Sequence, residues 1–282
     1  KDVATEQTKG TQAIDAVKLT SLTDSQTAAK AAIDKAAKTK DEAIEASNLT
    51  AEEKADLKQK VADEVQKDKA AIAAATKDAD VNTAQTNGER AINAVEIPTS
   101  SKTKNDANSD LDKTADAAKN AIDETSGLTD DQKQTAKDQI DKAVDAAKEN
   151  IKKASDNTGV ADATDAGKLA IDKVSAKAAI DQALNKKTSE INGANNLDQT
   201  TKDKLLQDAT DAADAAKNAI GQATTADAIK KAQDDGVSNV NNVKVPSLED
   251  AKQAAKDAVD QAAGKQTDLI NKSNNLSDSE KQ

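Results

Sequence analysis

A helix-start signal that returns at nearly regular intervals constrains this chain more than any other feature of its sequence. Its clearest copy is GLTDDQK at 127–133, in which Thr129 can cap a helix and Gln132 follows three residues later. A cap residue with Gln or Glu at this spacing forms a capping box, and carboxylates in the first turn interact favourably with the helix dipole. The signal recurs at 49–53, 197–201 and 276–280, with its leucines 79, 69 and 79 residues apart. This period predicts a tandem array of helical repeats.

Three helices are predicted in each repeat, and the first two are clearest in the middle of the chain. The first is expected at 102–125, with apolar residues at 111, 115, 118 and 122, and the second at 130 to about 155. The apolar face of the second helix recurs in register in all three repeats, and Asp68 is the one exception among eighteen positions. Such a stripe is typical of a packed helix. The positions are Leu57, Val61, Val65, Asp68, Ile72 and Ala75; Ala136, Ile140, Val144, Ala147, Ile151 and Ala154; and Leu205, Ala209, Ala213, Ala216, Ile220 and Ala223.

The predicted third helix contains a glycine at a fixed position. Its first complete copy has the stripe Val81, Ala84, Gly88, Ile92 and Val95, and the same glycine recurs as Gly10, Gly167 and Gly236. A glycine inside a helix costs about 1 kcal/mol relative to alanine. We therefore expect a close crossing of neighbouring helices at this position; the alternative is a local kink or a loosely packed site.

The connections between repeats are of two kinds. Pro98 and Pro246 predict breaks, because the residue before a proline is driven away from helical backbone angles. No break occurs between Val174 and Ala176, and about ten residues of linker and first helix are missing there, which produces the 69-residue spacing. The helix that ends one repeat is therefore expected to continue directly into the next.

The expected architecture is all-α, with tandem three-helix bundles joined end to end into an elongated rod. The predicted segments are the last helix of a truncated repeat (1–20), three-helix repeats at 21–98, 99–174 and 175–245, the last with a shortened first helix, and the first helix with the start of a second helix (246–282). We expect the chain to be part of a longer protein. Units that close only against themselves and their neighbours are expected to be marginally stable alone and stabilised by coupling.

Composition leaves disorder as an alternative to folding. The chain has 58 alanines and 43 Val, Ile or Leu among 282 residues, with no aromatic residue, and few large apolar residues are typical of disordered chains. The net charge of −11 is small for this length, and there are only 9 glycines and 2 prolines. Most of the common residues favour helices, so periodicity and caps together favour a folded helical protein.

The missing residue types exclude several functions. Without Cys and His the chain lacks the usual zinc ligands, thiol chemistry and the common nucleophile–base pairs. The absence of aromatic residues and the pI of about 4.7 argue against nucleic acid as a partner. No apolar run approaches the roughly 20 residues that a membrane span needs. We expect no catalytic residues, no cofactor and no metal.

Three groups of polar residues are candidate sites, and none is favoured. Asp141, Lys142, Asp145 and Lys148 form a charged stretch that is expected to be a solvated helix face with pairs three and four residues apart. Residues 78–89 begin like a calcium loop and place Glu89 at the twelfth position, but the sixth is threonine rather than glycine.

Asp68 on the apolar stripe could mark a ligand or specificity position. The favoured alternative is that Asp68 lies near the edge of the bundle with its carboxylate in water.

The phrases QATTADAI at 222–229, followed by Gly236, and AKAAIDQA at 176–183 carry a family resemblance. They resemble the tandem helical repeats, formally of unknown function, of giant wall-anchored surface proteins of Gram-positive bacteria, among them extracellular matrix-binding protein and related biofilm adhesins. The resemblance covers essentially the whole chain. It implies a secreted protein held on the cell wall through regions outside this sequence, with the repeats as its stalk. It supplies no catalytic residues.

The leading hypothesis is accordingly a non-catalytic spacer whose partners are the neighbouring repeats of the same chain. A second hypothesis is a helical module that binds a host matrix or plasma protein. A third is a solvating protein that stays disordered until it is dried. Such chains usually repeat at eleven residues, whereas this one repeats near seventy-nine.

Overall fold

The computed structural model describes residues 2–16, 21–277 and 279, and these residues form ten α-helices. No strand occurs in this part of the chain, and the predicted all-α fold class is confirmed. The helices are α1 (Val3–Asp15), α2 (Leu22–Glu45), α3 (Ala51–Ala74), α4 (Asp78–Ala94), α5 (Lys102–Glu124), α6 (Asp130–Lys153), α7 (Asn157–Gly193), α8 (Gln199–Gln222), α9 (Ala226–Asn241) and α10 (Leu248–Lys272).

Parts of two expectations lie outside the described residues. One is Val17, which ends the first copy of the glycine-containing phrase. The other is the last helix-start signal, of which Asp278, Glu280 and residues 281–282 are not described.

The chain divides into two compact units. The first is Lys1–Asn108 with Asn150–Ala163, and the second is Ser109–Glu149 with Thr164–Gln282. This division runs through α5, α6 and α7 and does not test the repeat boundaries, so the five segments at 1–20, 21–98, 99–174, 175–245 and 246–282 stay predictions.

In the first unit, α2, α3 and α4 each pack against the other two and form the first bundle. The apolar stripe of α3 lies in the core of this bundle, as its periodicity predicts. The buried apolar residues of the core are Ala29, Ile33, Ile44, Leu49, Leu57, Val61, Ile72, Val81 and Ile92. The cluster is small and almost purely aliphatic, as expected for a bundle without aromatic side chains.

In the second unit, residues 109–124 of α5, 130–149 of α6 and 164–174 of α7 form the second bundle. Lys148 of α6 pairs with Asp112 of α5 at 2.6 Å. Gly167 of α7 approaches both α5 and α6. The buried apolar residues here are Leu111, Ala115, Ile122, Ala136, Ile140, Val144, Ala147 and Ile171.

The third bundle, also in the second unit, consists of α8, α9 and the part of α7 that contains Ala176, Ile180 and Ala183. Its buried cluster contains five alanines among nine residues, and so has the smallest side chains of the bundles. The members are Ala176, Ile180, Ala183, Ala213, Ala216, Ile220, Ala223, Ile229 and Val240.

The two predicted kinds of connection are confirmed. Residues 95–101, around Pro98, and residues 242–247, around Pro246, are not helical. In contrast, α7 runs for 37 residues through Val174 and Ala176 without interruption. None of the described residues of α1 or α10 is buried.

Candidate functional site: helix crossings and repeat junctions

Three of the four repeated start signals, at 49–53, 127–133 and 197–201, cap their helices as predicted, and the fourth lies partly outside the described residues. The hydroxyl of Thr129 accepts a hydrogen bond from the N–H of Gln132 at 3.2 Å, and Gln132 Oε1 accepts from the N–H of Thr129 at 3.0 Å. Thr50 and Glu53 form the same capping box. Asp198 accepts from the N–H of Thr201 at 2.7 Å, and this bond lowers the pKa of the carboxyl. These bonds satisfy orphan N–H groups at the helix starts.

The recurring glycine of the third helix lies at a close crossing in each of the three bundles, as predicted. A Cβ added at Gly88 would lie 2.6 Å from Asp68 Cγ, and one at Gly167 would lie 2.5 Å from Ala147 Cβ. A Cβ at Gly236 would collide with Ala216 Cβ in the same way. The exception is Gly10 in α1, where an added Cβ would have no described neighbour within 4 Å.

The expected position of Asp68 is wrong. Its side chain is buried, with only 7% of the residue exposed, and no described group donates a hydrogen bond to its Oδ2. The position corresponds to Ala147 and Ala216 in the other bundles, where the residue of the second helix faces the glycine of the third. Because Gly88 has no side chain, α3 and α4 approach closely at Asp68, and Oδ2 of the carboxylate is buried between them.

Charged residues that flank the apolar stripe form ion pairs with residues of a neighbouring helix, and not only with residues of their own helix. Lys148 pairs with Asp112 of α5, and Asp141 pairs with Lys119 of α5, whereas pairs within α6 were expected. The reason is that these residues flank the apolar stripe, where a long lysine stem can reach the neighbouring helix.

The first of these pairs occurs in all three bundles, as Lys69–Asp34, Lys148–Asp112 and Lys217–Asp181. The sequence contains its signal, because each aspartate directly follows the aliphatic residue that faces the glycine (Ile33, Leu111 or Ile180). Exposed pairs contribute little individually. Their recurrence shows that the first and second helices have the same register in each bundle.

A second recurring contact was not predicted. Lys54, Lys133 and Lys202, in the first turn of each second helix, donate to main-chain oxygens at the end of the preceding helix: Glu45 at 2.8 Å, Asp123 at 2.6 Å and Asn192 at 3.0 Å. Cations at the C-terminal end of a helix satisfy orphan carbonyls and complement the helix dipole. The sequence contains a signal for this contact, since each lysine lies at the same distance after the cap residue.

At the first junction, the start of α3 binds the starts of α5 and α7 within the first compact unit. Glu53 accepts from the N–H of Thr103 at 3.0 Å while it completes the capping box with Thr50. The N–H of Ala51 donates to the carbonyl of Ser155 at 2.8 Å. Glu52 accepts from the N–H of Asn157 at 2.9 Å. The capping residues of one repeat therefore also cap helices of the next repeat.

At the second junction, within the second compact unit, the loop between α5 and α6 contacts the middle of α7. Asn185 donates to the carbonyl of Gly127 at 2.8 Å and to Gln132 Oε1 at 2.6 Å. Gln182 donates to the carbonyl of Ser126 at 2.8 Å. Gln132 occupies the position of Glu53, 79 residues later, so the same capping-box residue makes the contact at both junctions.

The pKa of Glu53 follows from its position between the starts of α3 and α5. Burial by itself would raise the pKa of this carboxyl. The N–H groups of Thr103 and Thr50 and the hydroxyls of Ser101 and Thr103 outweigh burial and lower the pKa from 4.5 to about 2. A carboxylate that accepts several hydrogen bonds is held in its charged form.

We expect the first junction to weaken in acid. Because the pKa of Glu53 is depressed on folding, its stabilisation is complete above 4.5 and is lost as the pH falls toward about 2. For a partly exposed group the loss is expected to be about 1–2 kcal/mol after screening. Hydrogen exchange at the N-terminal turn of α5 measures it, and Glu53→Gln is expected to remove this pH dependence. The second junction, with the uncharged Gln132, is the internal control; an equal acid loss at both junctions would contradict the assignment.

The calcium-loop candidate lies in a regular helix. Residues 78–89 lie in the continuous helix α4, whereas a calcium loop requires an irregular 12-residue turn. Among the described residues, no group of three or more Asp or Glu side chains is arranged to hold a metal ion. None of the described helices has the length and apolar character needed to cross a bilayer.

The recurring caps, crossings and junctions define a class of protein: an all-helical protein built of tandem repeats. The family described as Domain of Unknown Function (DUF1542) matches the chain three times, at residues 25–100, 103–175 and 172–248. The chain belongs to this family. The second and third matches overlap at 172–175, within the continuous helix α7. Neither a search of curated proteins nor a search of solved structures returns a match.

Proposed function

We propose that these repeats are a non-catalytic spacer in a bacterial surface protein, in which they hold a distal binding region away from the cell wall. The observation that carries the proposal is the construction of the junctions. At the first junction, Glu53 and Glu52 bind backbone N–H groups of the next repeat. At the second, a single helix belongs to two repeats. Connections of this kind resist bending better than a flexible linker does.

The length of the helices supports a role in reach. A helix of 24 residues, such as α3, is about 36 Å long. Three to four such units placed end to end, with α1 and α10 included, would reach roughly 130 Å. Neighbouring repeats of the same chain are the partners that this arrangement needs.

Extracellular location and attachment to the cell wall belong to the same proposal. They are supported by the resemblance of phrases such as AKAAIDQA at 176–183 to the repeats of wall-anchored proteins. A chain without cysteine is also suited to an oxidising environment, where it cannot form stray disulfides.

Small-angle scattering of the 282-residue chain tests the spacer. A rod of roughly 130 Å has a radius of gyration of about 37 Å, whereas a compact globule of this length has one of about 19 Å. We expect the larger value, and a maximum dimension that grows in proportion when repeats are added. A radius near that of the globule would overturn the proposal.

The alternative function is a helical module that binds a host matrix or plasma protein. The large aliphatic side chains with the greatest exposure lie in α1, at Val3 and Ile14, and in α10, at Leu248, Val259 and Leu269. Saturable capture of fibronectin, fibrinogen or albumin by the purified chain would favour this alternative. A spacer is expected to capture none of them, even at high concentration.

A further inference from the structure

The buried carboxylate of Asp68 distinguishes the first bundle from the other two. Its equivalents are Ala147 and Ala216, whose methyl groups face Gly167 and Gly236. In the first bundle the Asp68 side chain fills the space over Gly88. A Cβ added at Gly88 would lie 2.6 Å from Asp68 Cγ and 2.8 Å from Asp68 Cβ. A charged group therefore lies at the closest crossing of α3 and α4.

Among the described residues, no cation forms an ion pair with Asp68. On α3, Glu64 lies one turn away and Lys67 pairs with that Glu64 at 3.1 Å. Lys69 pairs with Asp34 of α2. On α4, Gly88 is followed by Glu89, which accepts from Gln85, and by Arg90, which donates to Asn87.

From α2, Ile33 Cδ1 lies 2.7 Å from the same added Cβ, so this helix presents an apolar group to the crossing. Lys67, Lys69 and Arg90 thus each contact a group other than Asp68. Asp68 Oδ2 accepts no hydrogen bond from any described group.

The direction of the pH effect follows from this geometry. Burial, and then the nearby charge of Glu64, raise the pKa of Asp68 above its ordinary value of 3.8, and Lys67 opposes them only in part. A group with a raised carboxyl pKa binds its proton more tightly in the folded state than in the unfolded state. Lowering the pH therefore stabilises the folded state over a pH range that begins at 3.8 and extends upward. This sign is opposite to that of Glu53.

We propose that Asp68 makes the first bundle a proton-sensitive repeat, in which the contact between α3 and α4 tightens when the buried carboxylate takes up a proton. At neutral pH the crossing holds an unpaired charge, which favours opening of the two helices. Acidification removes that charge without changing the packing. The second and third bundles, with alanine at this position, lack the response.

Hydrogen exchange of the whole chain between about pH 7 and about pH 4 tests the proposal, with Asp68→Asn as the uncharged variant of similar shape. The measured quantity is the ratio of protection factors, wild type over variant, for amides of α3 and α4. We expect this ratio to rise as the pH falls, about tenfold for each unit by which the folded-state pKa exceeds the unfolded-state value. Glu53 is present in both proteins, so its opposite contribution cancels.

Two further variants separate titration of Asp68 from other causes. Asp68→Ala, which copies the other repeats, is expected to protect α3 and α4 more than wild type at neutral pH and to lose the excess in acid. In that background, Ala147→Asp is expected to transfer the pH response to α6 and α7. Asp56→Asn, an exposed position on α3, is the matched control and should leave the wild-type profile unchanged. Parallel pH profiles of wild type and Asp68→Asn, or an equal change in Asp56→Asn, would overturn the proposal.

Discussion

Replacement of Ile180 with alanine is expected to destabilise the third bundle by about 3–4 kcal/mol. Ile180 is fully buried, and five of the nine residues in its cluster are already alanine. The remaining side chains are too small to close the cavity, so the lost transfer free energy and the cavity cost add. We expect most of the hydrogen-exchange protection of α8 and α9 to disappear.

The matched control for this prediction is Leu269→Ala in α10, which removes a similar side chain that is 64% exposed. An exposed substitution of this kind is expected to change the free energy of unfolding by less than about 0.5 kcal/mol. The first bundle supplies a further internal control, because its exchange should be unaffected by either change. If Ile180→Ala and Leu269→Ala changed the free energy of unfolding equally, the buried aliphatic cluster would not be the source of the third bundle's stability.

Gly167→Ala is expected to destabilise the second bundle by about 2 kcal/mol, although alanine is the better helix former. The new methyl group would lie 2.5 Å from Ala147 Cβ and 2.8 Å from Leu111 Cδ2. The Ala147 methyl group has no rotamer with which to move away, so α6 and α7 must separate. The cost of overpacking then exceeds the intrinsic gain of about 1 kcal/mol. Exchange at amides of α6 and α7 measures the loss.

The same substitution has the opposite expected sign where the glycine is open. Gly10→Ala and Gly264→Ala, with nothing within 4 Å of the added Cβ, are expected to stabilise their helices by up to about 1 kcal/mol. In the second bundle, Ala147→Gly combined with Gly167→Ala should recover much of the loss, since it moves the methyl group from one side of the crossing to the other. Additive effects of these two changes would argue against direct contact.

The sequence by itself determined the helices, their starts and the positions of close approach. Capping boxes such as that of Thr129 and Gln132 act within a few residues of the chain, and apolar stripes follow the helical period, so both are visible without tertiary contacts. The mid-helix glycines were also informative, because their local cost requires compensation elsewhere. The continuous helix at 174–176 could be predicted because no proline break separates the two repeats there.

Only the tertiary structure decided which polar groups are buried and which partners they bind. Asp68 is buried because Gly88 brings α4 over it, and the chain separation of these residues hides that relation from local rules. The double role of Glu53 likewise depends on Thr103, fifty residues away. Burial and hydrogen bonding are properties of pairs brought together by packing, whereas caps and periodicity are properties of one segment. For this reason the charged residues at the crossings and junctions could be located in the sequence but not assigned their partners.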